Sequence, residues 1–458
     1  MKLDKMQCEP NYGDWKEPFP NFQTLLIEYQ QCIDEGKDVE KYKDLFYAVN
    51  ALPDSKEKAQ LADAIYSLIE TLPQRDGYKY NEPDDLEEIL KLTNKYEIKL
   101  EVPERKGLLN RVRGAWYGRI CGCVLGKPIE CMGCDEITEM LKRTGNYPMH
   151  RYISFDDVDN NDFSDMSFPV RDRIHMFTPG DGAPGDDDTN YIVLGYKIIE
   201  QHGHDFSSDD VLDSWVNLQS INAYGTAERI AYKNSIGGFR APETALYQNP
   251  YREWIGAQIR GDFYGWINPA NPKKAAEMAW TDARISHVKN GIYGEMWVSA
   301  MLAAAAGGAS AIDAIRVGLG YVPKTSRFYE AVSKVVSDFE SGVTEEEFFT
   351  EFHKRWDFRN QHHMVHTVSN AEIVAAALLY GNNDYGRTVC ITVENGFDTD
   401  CNAATAGSVI GMIVGADNIS DEWKNAIKGT LYTSIAGSSR VSVDEMSEKT
   451  LDFINHNK

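Results

Sequence analysis

Two acidic runs, Gly185-Asp186-Asp187-Asp188-Thr189 and Gly396-Phe397-Asp398-Thr399-Asp400-Cys401, each lead straight into an apolar stretch with helical patterning. Asn190 to Tyr196 follows the first, and Ala403 to Gly411 follows the second. Adjacent carboxylates repel one another, and the repulsion grows as water is withdrawn. A hard divalent cation would relieve it, since Mg²⁺ takes oxygen ligands from carboxylates, hydroxyls and water. The competing reading makes each run an acidic helix N-cap set against the positive end of a dipole. Because both runs open apolar helices, the pattern points to one shared metal centre built from Asp186, Asp187, Asp188, Asp398 and Asp400.

Such a centre needs rigid elements to bring the two runs together. Gly114, Gly118, Gly122 and Gly126 recur every fourth residue and so share one side of a helix. Each glycine costs a helix about 1 kcal/mol relative to alanine, so four in register imply close approach of another helix. Pro128 ends that helix and leaves Glu130 just beyond it. Helical spacing continues over Tyr191 to Glu200, Ser208 to Gln219, Pro272 to Thr281, Ile292 to Ala306, Ala309 to Leu319, Arg327 to Ser341, Glu345 to Trp356 and Ala371 to Tyr380. No alternating strand pattern of useful length interrupts it. The fold class expected is all-α, a compact many-helix domain with its chemistry in loops at one end.

A chain of 458 residues exceeds the usual size of a single core. Residues 1–105 read as an N-terminal helical appendage, with helices over Phe22 to Ile33, Val39 to Val49 and Glu57 to Leu72, and a capping box from Asp54 and Glu57. Residues 106–458 read as the catalytic domain. A net charge of −23 argues against nucleic acid or an anionic membrane as partner. The apolar stretches Met296 to Ala306, Ile373 to Tyr380 and Ala403 to Val414 are too short to span a bilayer. Met1 to Cys8 has no apolar core of signal-peptide length, so a cytoplasmic location is expected.

Three other motifs carry less. Cys121, Cys123, Cys131 and Cys134 cluster, but no second Cys-x-x-Cys follows, and reduced thiols packing as small apolar groups are expected rather than structural zinc. Asp157-x-Asp159-x-Asn161 starts like a calcium loop, yet Asp162 and Phe168 stand where glycine and glutamate are required. His362-His363-x-x-His366 lacks the glutamate of a zinc-protease helix.

Taken together, these residues resemble the ADP-ribosylglycohydrolase family from about Leu108 to Gly437, in a bacterial-type branch. Arg113 to Gly118 and Leu125 to Glu130 resemble its opening helix and glutamate, and Asp186 to Thr189 its first metal motif. Ile255 to Arg260 resembles its glycine-rich ligand loop, Asp282 to His287 with Gly291 to Tyr293 its next landmark, and Asp398 to Asp400 its second metal motif. The resemblance implies an all-helical domain holding two Mg²⁺ ions, with Mn²⁺ as the alternative, on Asp186, Asp187, Asp188, Asp398 and Asp400. It implies Glu130 and Asp187 as catalytic residues, and Gly256, Arg260, His287 and Tyr293 as contacts to small-molecule or protein-linked ADP-ribose. Cys401 and Cys123 depart from the family pattern, standing where many members have a metal-binding threonine and an aspartate.

Cleavage of a glycosidic bond at ribose passes through an oxocarbenium-like transition state. Glu130, off the metal, suits a general acid or base there. A hydrolase of another riboside with the same fold, and a catalytically weak ADP-ribose-binding protein, are the alternatives. The oligomeric state and the acceptor are left open by the sequence.

Overall fold

The glycine ladder finds its partner in the second acidic helix. The computed structural model describes residues 21–455, so Met1 to Cys8 lies outside the described residues. Arg105–Gly126 and Thr399–Val414 are both helices, and a Cβ on any ladder glycine would collide with the other backbone. Added at Gly114 it would meet the carbonyl of Gly411, at Gly118 that of Gly407, at Gly122 that of Ala403, and at Gly126 that of Thr399. Gly407 and Gly411 return the contact against the carbonyls of Gly118 and Gly114. The first helix rises along the ladder as the second descends, so the pair is antiparallel. The end of one helix therefore lies at the start of the other, which delivers Lys127 and Glu130 to Asp398 and Asp400.

Around this pair, the described residues form 24 α-helices and one two-stranded antiparallel hairpin, Thr430–Tyr432 with Arg440–Ser442. The architecture is all-α. The hairpin was not expected, because strands of three residues are too short to show alternation. Asn290–Ala306, Thr367–Tyr380 and Thr399–Val414 are buried at nearly every position, as helices apolar on all sides must be. The outer helices carry ordinary start signals: Ser207, Ser326 and Thr344 each accept a backbone N–H of the first turn, and Asn271 does so ahead of Pro272. One cap differs from expectation. Ser55, not Asp54, caps Lys56–Glu70 by accepting from the Lys58 N–H, while Asp54 pairs with the Lys58 ammonium at 3.0 Å.

The hydrophobic interior falls into two parts. Phe22, Leu25, Phe46, Ile65 and Ile69 belong to a small cluster of their own. Ile89, with Leu86, Leu90, Ile98 and Leu100 against it, already belongs to the large cluster. The change from one hydrophobic cluster to the other falls between Leu72 and Leu86. Buried ion pairs fasten the first part to the second. Arg252 bonds Glu28 and Glu35, and Arg327 bonds Glu82 and Glu253. Among the described residues no helix is long and apolar enough to cross a membrane.

Candidate metal centre and active site

Three chain segments meet at the aspartates. The first is the C-terminal end of the glycine-ladder helix, running on through the short turn Lys127–Ile129 to Glu130. The second is the start of Asp187–His202, and the third the start of Thr399–Val414. Thr399 Oγ1 donates to the Gly126 carbonyl at 2.9 Å and locks the first segment to the third. Asp398 is aimed by two left-handed residues before it, Gly396 (φ 71°) and Phe397 (φ 63°). The left-handed region disfavours a bulky side chain such as Phe397, and its burial against Phe352 holds it there.

Of the five aspartates, only Asp186 behaves as an N-cap, accepting from the Asp188 N–H at 3.1 Å. Asp398 occupies the cap position of its helix but makes no side-chain cap bond. Asp188 Oδ2, Asp398 Oδ1 and Asp400 Oδ1 are buried with no hydrogen-bond partner. A buried carboxylate oxygen left unpaired costs free energy that a cation would return. Groups of carboxylates close enough to share an ion include Glu130 with Asp398 and Asp400, and Asp188 with Asp400 beside Cys401. This donor set fits a hard divalent ion. Burial first, and then the neighbouring carboxylates, push Asp187 and Asp398 well above the usual range. Burial and Asp400 also raise Glu130, against the pull of Lys127.

Two cations that the sequence reading passed over organise the site. Arg119 is fully buried; its guanidinium donates to the Asp188 carboxylate and carbonyl at 3.0 and 2.9 Å, to Asp262 at 3.0 Å and to the Ile259 carbonyl. It pins the first turn of Asp187–His202. Lys127 Nζ lies 2.8 Å from Asp186 Oδ2, 3.0 Å from Asp400 Oδ2 and 2.9 Å from Glu130 Oε2. Its position three residues before Glu130 was the available signal, since residues at i and i+3 face one another along a helical turn. Arg173 adds a contact to Glu130 at 3.3 Å and one to the Lys127 carbonyl at 3.0 Å. Glu130 keeps 29% of its side chain exposed, and Asp187 is also partly open. Glu130 and Asp187 are thus the more exposed members of the cluster, while Asp186, Asp188, Asp398 and Asp400 are buried.

The residues expected to contact ADP-ribose, Gly256, Arg260, His287 and Tyr293, are buried. Arg260 is buried, and its guanidinium is taken up by Asp282, Glu228 at 3.2 Å and Ser286 at 2.9 Å. Gly256 admits the Glu228 carboxylate, which a Cβ there would strike. His287 is buried against Ser286 at 2.8 Å, and burial holds it well below its usual pKa, so it is neutral. The Tyr293 hydroxyl donates to the Pro83 carbonyl at 2.5 Å. Arg260 and Tyr293 spend their polar groups on internal partners, whereas Nε2 of His287 is buried without a hydrogen-bond partner. They stiffen the layer behind the first acidic helix, with Arg260 lying over the Trp215 ring at 4.9 Å.

The set-aside motifs are also accounted for. Asp157 closes a capping box with Ser154 and pairs with Arg151. His362 and His366 come near Asp34. However, Trp254 donates to Nδ1 of His362 and the Val368 N–H to Nδ1 of His366. Each Nε2 must then carry the proton, so neither offers a lone pair toward Asp34.

A family model described as ADP-ribosylglycohydrolase matches residues 104–451. The chain belongs to the ADP-ribosylglycohydrolase family. It is therefore a glycoside-type hydrolase of a metal-dependent family that acts on ADP-ribosylated substrates. A solved structure described as an ADP-ribosylglycohydrolase-related protein complex is similar at 17% identity with a TM-score of 0.49, over 77% of this chain and 100% of that one. The search among curated proteins gives no match.

Proposed function

We propose that this chain hydrolyses the glycosidic bond at the ribose of ADP-ribose conjugates, using a divalent ion held by the aspartates, with Mg²⁺ the natural choice for an all-oxygen donor set. The observation that carries the reading is that Asp188, Asp398 and Asp400 each keep an unpartnered buried oxygen, with Asp400 within ion-sharing reach of Asp188 on one side and of Asp398 and Glu130 on the other. A bound divalent ion supplies charge that orients ribose hydroxyls and makes water a better nucleophile. The rest falls to the chain's own groups. Arg119 fixes Asp188, and Asp186 caps its helix, so the ligand carboxylates do not need to reorganise. Glu130, raised by burial and by Asp400, is suited to hold a proton and pass it to the leaving group or take one from water. Asp187, partly open above the buried ligands, accepts hydrogen bonds from the sugar. Lys127 and Arg173 hold Glu130 in place from two sides.

A second reading is favoured by the internal engagement of Arg260: a simple riboside, which has no diphosphate for a guanidinium to bind. A panel of ADP-ribosyl conjugates and simple ribosides, with product release followed by chromatography, separates the two. The proposal expects release of ADP-ribose with Mg²⁺ and none after chelation. Glu130→Gln should lower turnover by about two to four orders of magnitude while keeping ligand affinity. Full activity of that variant would reassign the acid/base role.

A further inference from the structure

We propose that Lys127 is a built-in cation of this centre, filling one of its two cation positions, so that the folded chain takes one divalent ion rather than two. The inference rests on the metal-binding reading above and divides its oxygens. Lys127 Nζ engages Glu130 Oε2, Asp186 Oδ2 and Asp400 Oδ2, all between 2.8 and 3.0 Å. The unpartnered oxygens are different atoms: Asp188 Oδ2, Asp398 Oδ1 and Asp400 Oδ1. Asp400 thus presents one oxygen to the ammonium and leaves the other unpartnered. An ammonium with three donors satisfies three carboxylates as a point charge. A Mg²⁺ ion seated on the same three oxygens at about 2.0–2.1 Å would stand within a few ångströms of the ammonium it must displace.

The surroundings favour the lysine on that side. Its stem is anchored, since Lys127 starts the turn before Pro128 and its carbonyl receives Arg173. Its side chain is 17% exposed, so leaving the carboxylates would strand the ammonium in a poorly solvated site. The adjoining thiol of Cys123 lies against Asp186 and Asp188. Thiols are poor ligands for a hard ion, so this side offers an incoming metal little in exchange. Asp188 Oδ2, Asp398 Oδ1 and Asp400 Oδ1, none of them engaged by the lysine, are left to ligate an ion.

Mn²⁺ is the probe, with bound ions counted by equilibrium dialysis and their spacing read by electron paramagnetic resonance. The wild-type chain should bind one Mn²⁺ with an uncoupled spectrum. Lys127→Met should bind a second ion and show spin coupling between the two. Lys127→Arg, which keeps the charge, should bind one. Two coupled ions in the wild type would overturn the inference while leaving the metal reading intact. So would a folded Lys127→Met variant that still binds one ion at unchanged affinity. Absence of any bound ion in the folded wild type would overturn the metal reading itself. If Lys127→Met does not fold, the wild-type and Lys127→Arg counts still decide.

Discussion

Two buried charge clusters in this molecule contrast sharply. At the seam between the first hydrophobic cluster and the second, Arg252, Arg327 and Lys289 face Glu28, Glu35, Glu82 and Glu253. Gln31 and Asn290 supply further donors, and no oxygen of those four glutamates is left unpartnered. At the aspartate centre, seven carboxylates (Glu130, Asp186, Asp187, Asp188, Asp262, Asp398 and Asp400) gather round Lys127 and Arg119, and four oxygens, one each on Asp188, Asp262, Asp398 and Asp400, remain orphaned. Density of acidic residues is therefore a poor guide to function. What separates these two clusters is that the donors run out before the acceptors at the aspartates and do not at the seam.

The comparison can be broken most forcefully at the seam. Arg252→Ala leaves Glu28 and Glu35 without their guanidinium partner, and removing one partner of a buried pair costs about 3–5 kcal/mol. Urea unfolding should show a loss of that size, with ion affinity of the folded fraction unchanged. A loss below about 1 kcal/mol would mean water enters the seam freely.

Next in size is the scaffold that joins the two halves of the centre. Gly118→Ala puts a methyl group onto the Gly407 carbonyl, and overpacking of this kind costs about 1–3 kcal/mol. Because the ladder sets the distance between Glu130 and Asp398, ion affinity should fall along with stability. Unchanged affinity would show that the helix starts hold their geometry without the ladder.

The smallest effect has the opposite sign. Asp398→Asn removes one of several like charges; two such charges about 4 Å apart repel by about 4 kcal/mol at an effective dielectric of about 20. Proton uptake relieves most of this, as the upward shift of Asp398 implies. The ion-free variant should therefore unfold at higher urea than the wild type, by about 1 kcal/mol. A destabilised variant would place the centre in the same class as the seam.

Much of this was legible in the chain. The ladder at Gly114 to Gly126 announces a close helix contact because glycine in a helix is otherwise a cost, and the two acidic runs announce a shared centre because each opens an apolar helix. The ladder's partner was not legible: Gly407 and Gly411 are spaced like any small residues in a buried helix until the antiparallel register is known. Arg119 was not legible either, because burying it depends on Asp188 and Asp262, which lie far away in sequence. Arg260 and His287 read as ligand contacts because the family resemblance places its ligand loop and next landmark there. Only the three-dimensional arrangement shows that Glu228 and Asp282 had already engaged Arg260.

The central claim is that the orphaned oxygens of Asp188, Asp398 and Asp400 hold a divalent ion. Its most direct test is the thermal unfolding of wild type and Asp398→Asn, each with Mg²⁺ and with chelator. An ion at about 100 times its dissociation constant stabilises the fold it binds by about 2.7 kcal/mol. The wild type should gain stability of that order with Mg²⁺, and Asp398→Asn, though steadier without the ion, should gain little or nothing. Equal gains in both proteins, or none in the wild type, would contradict the account.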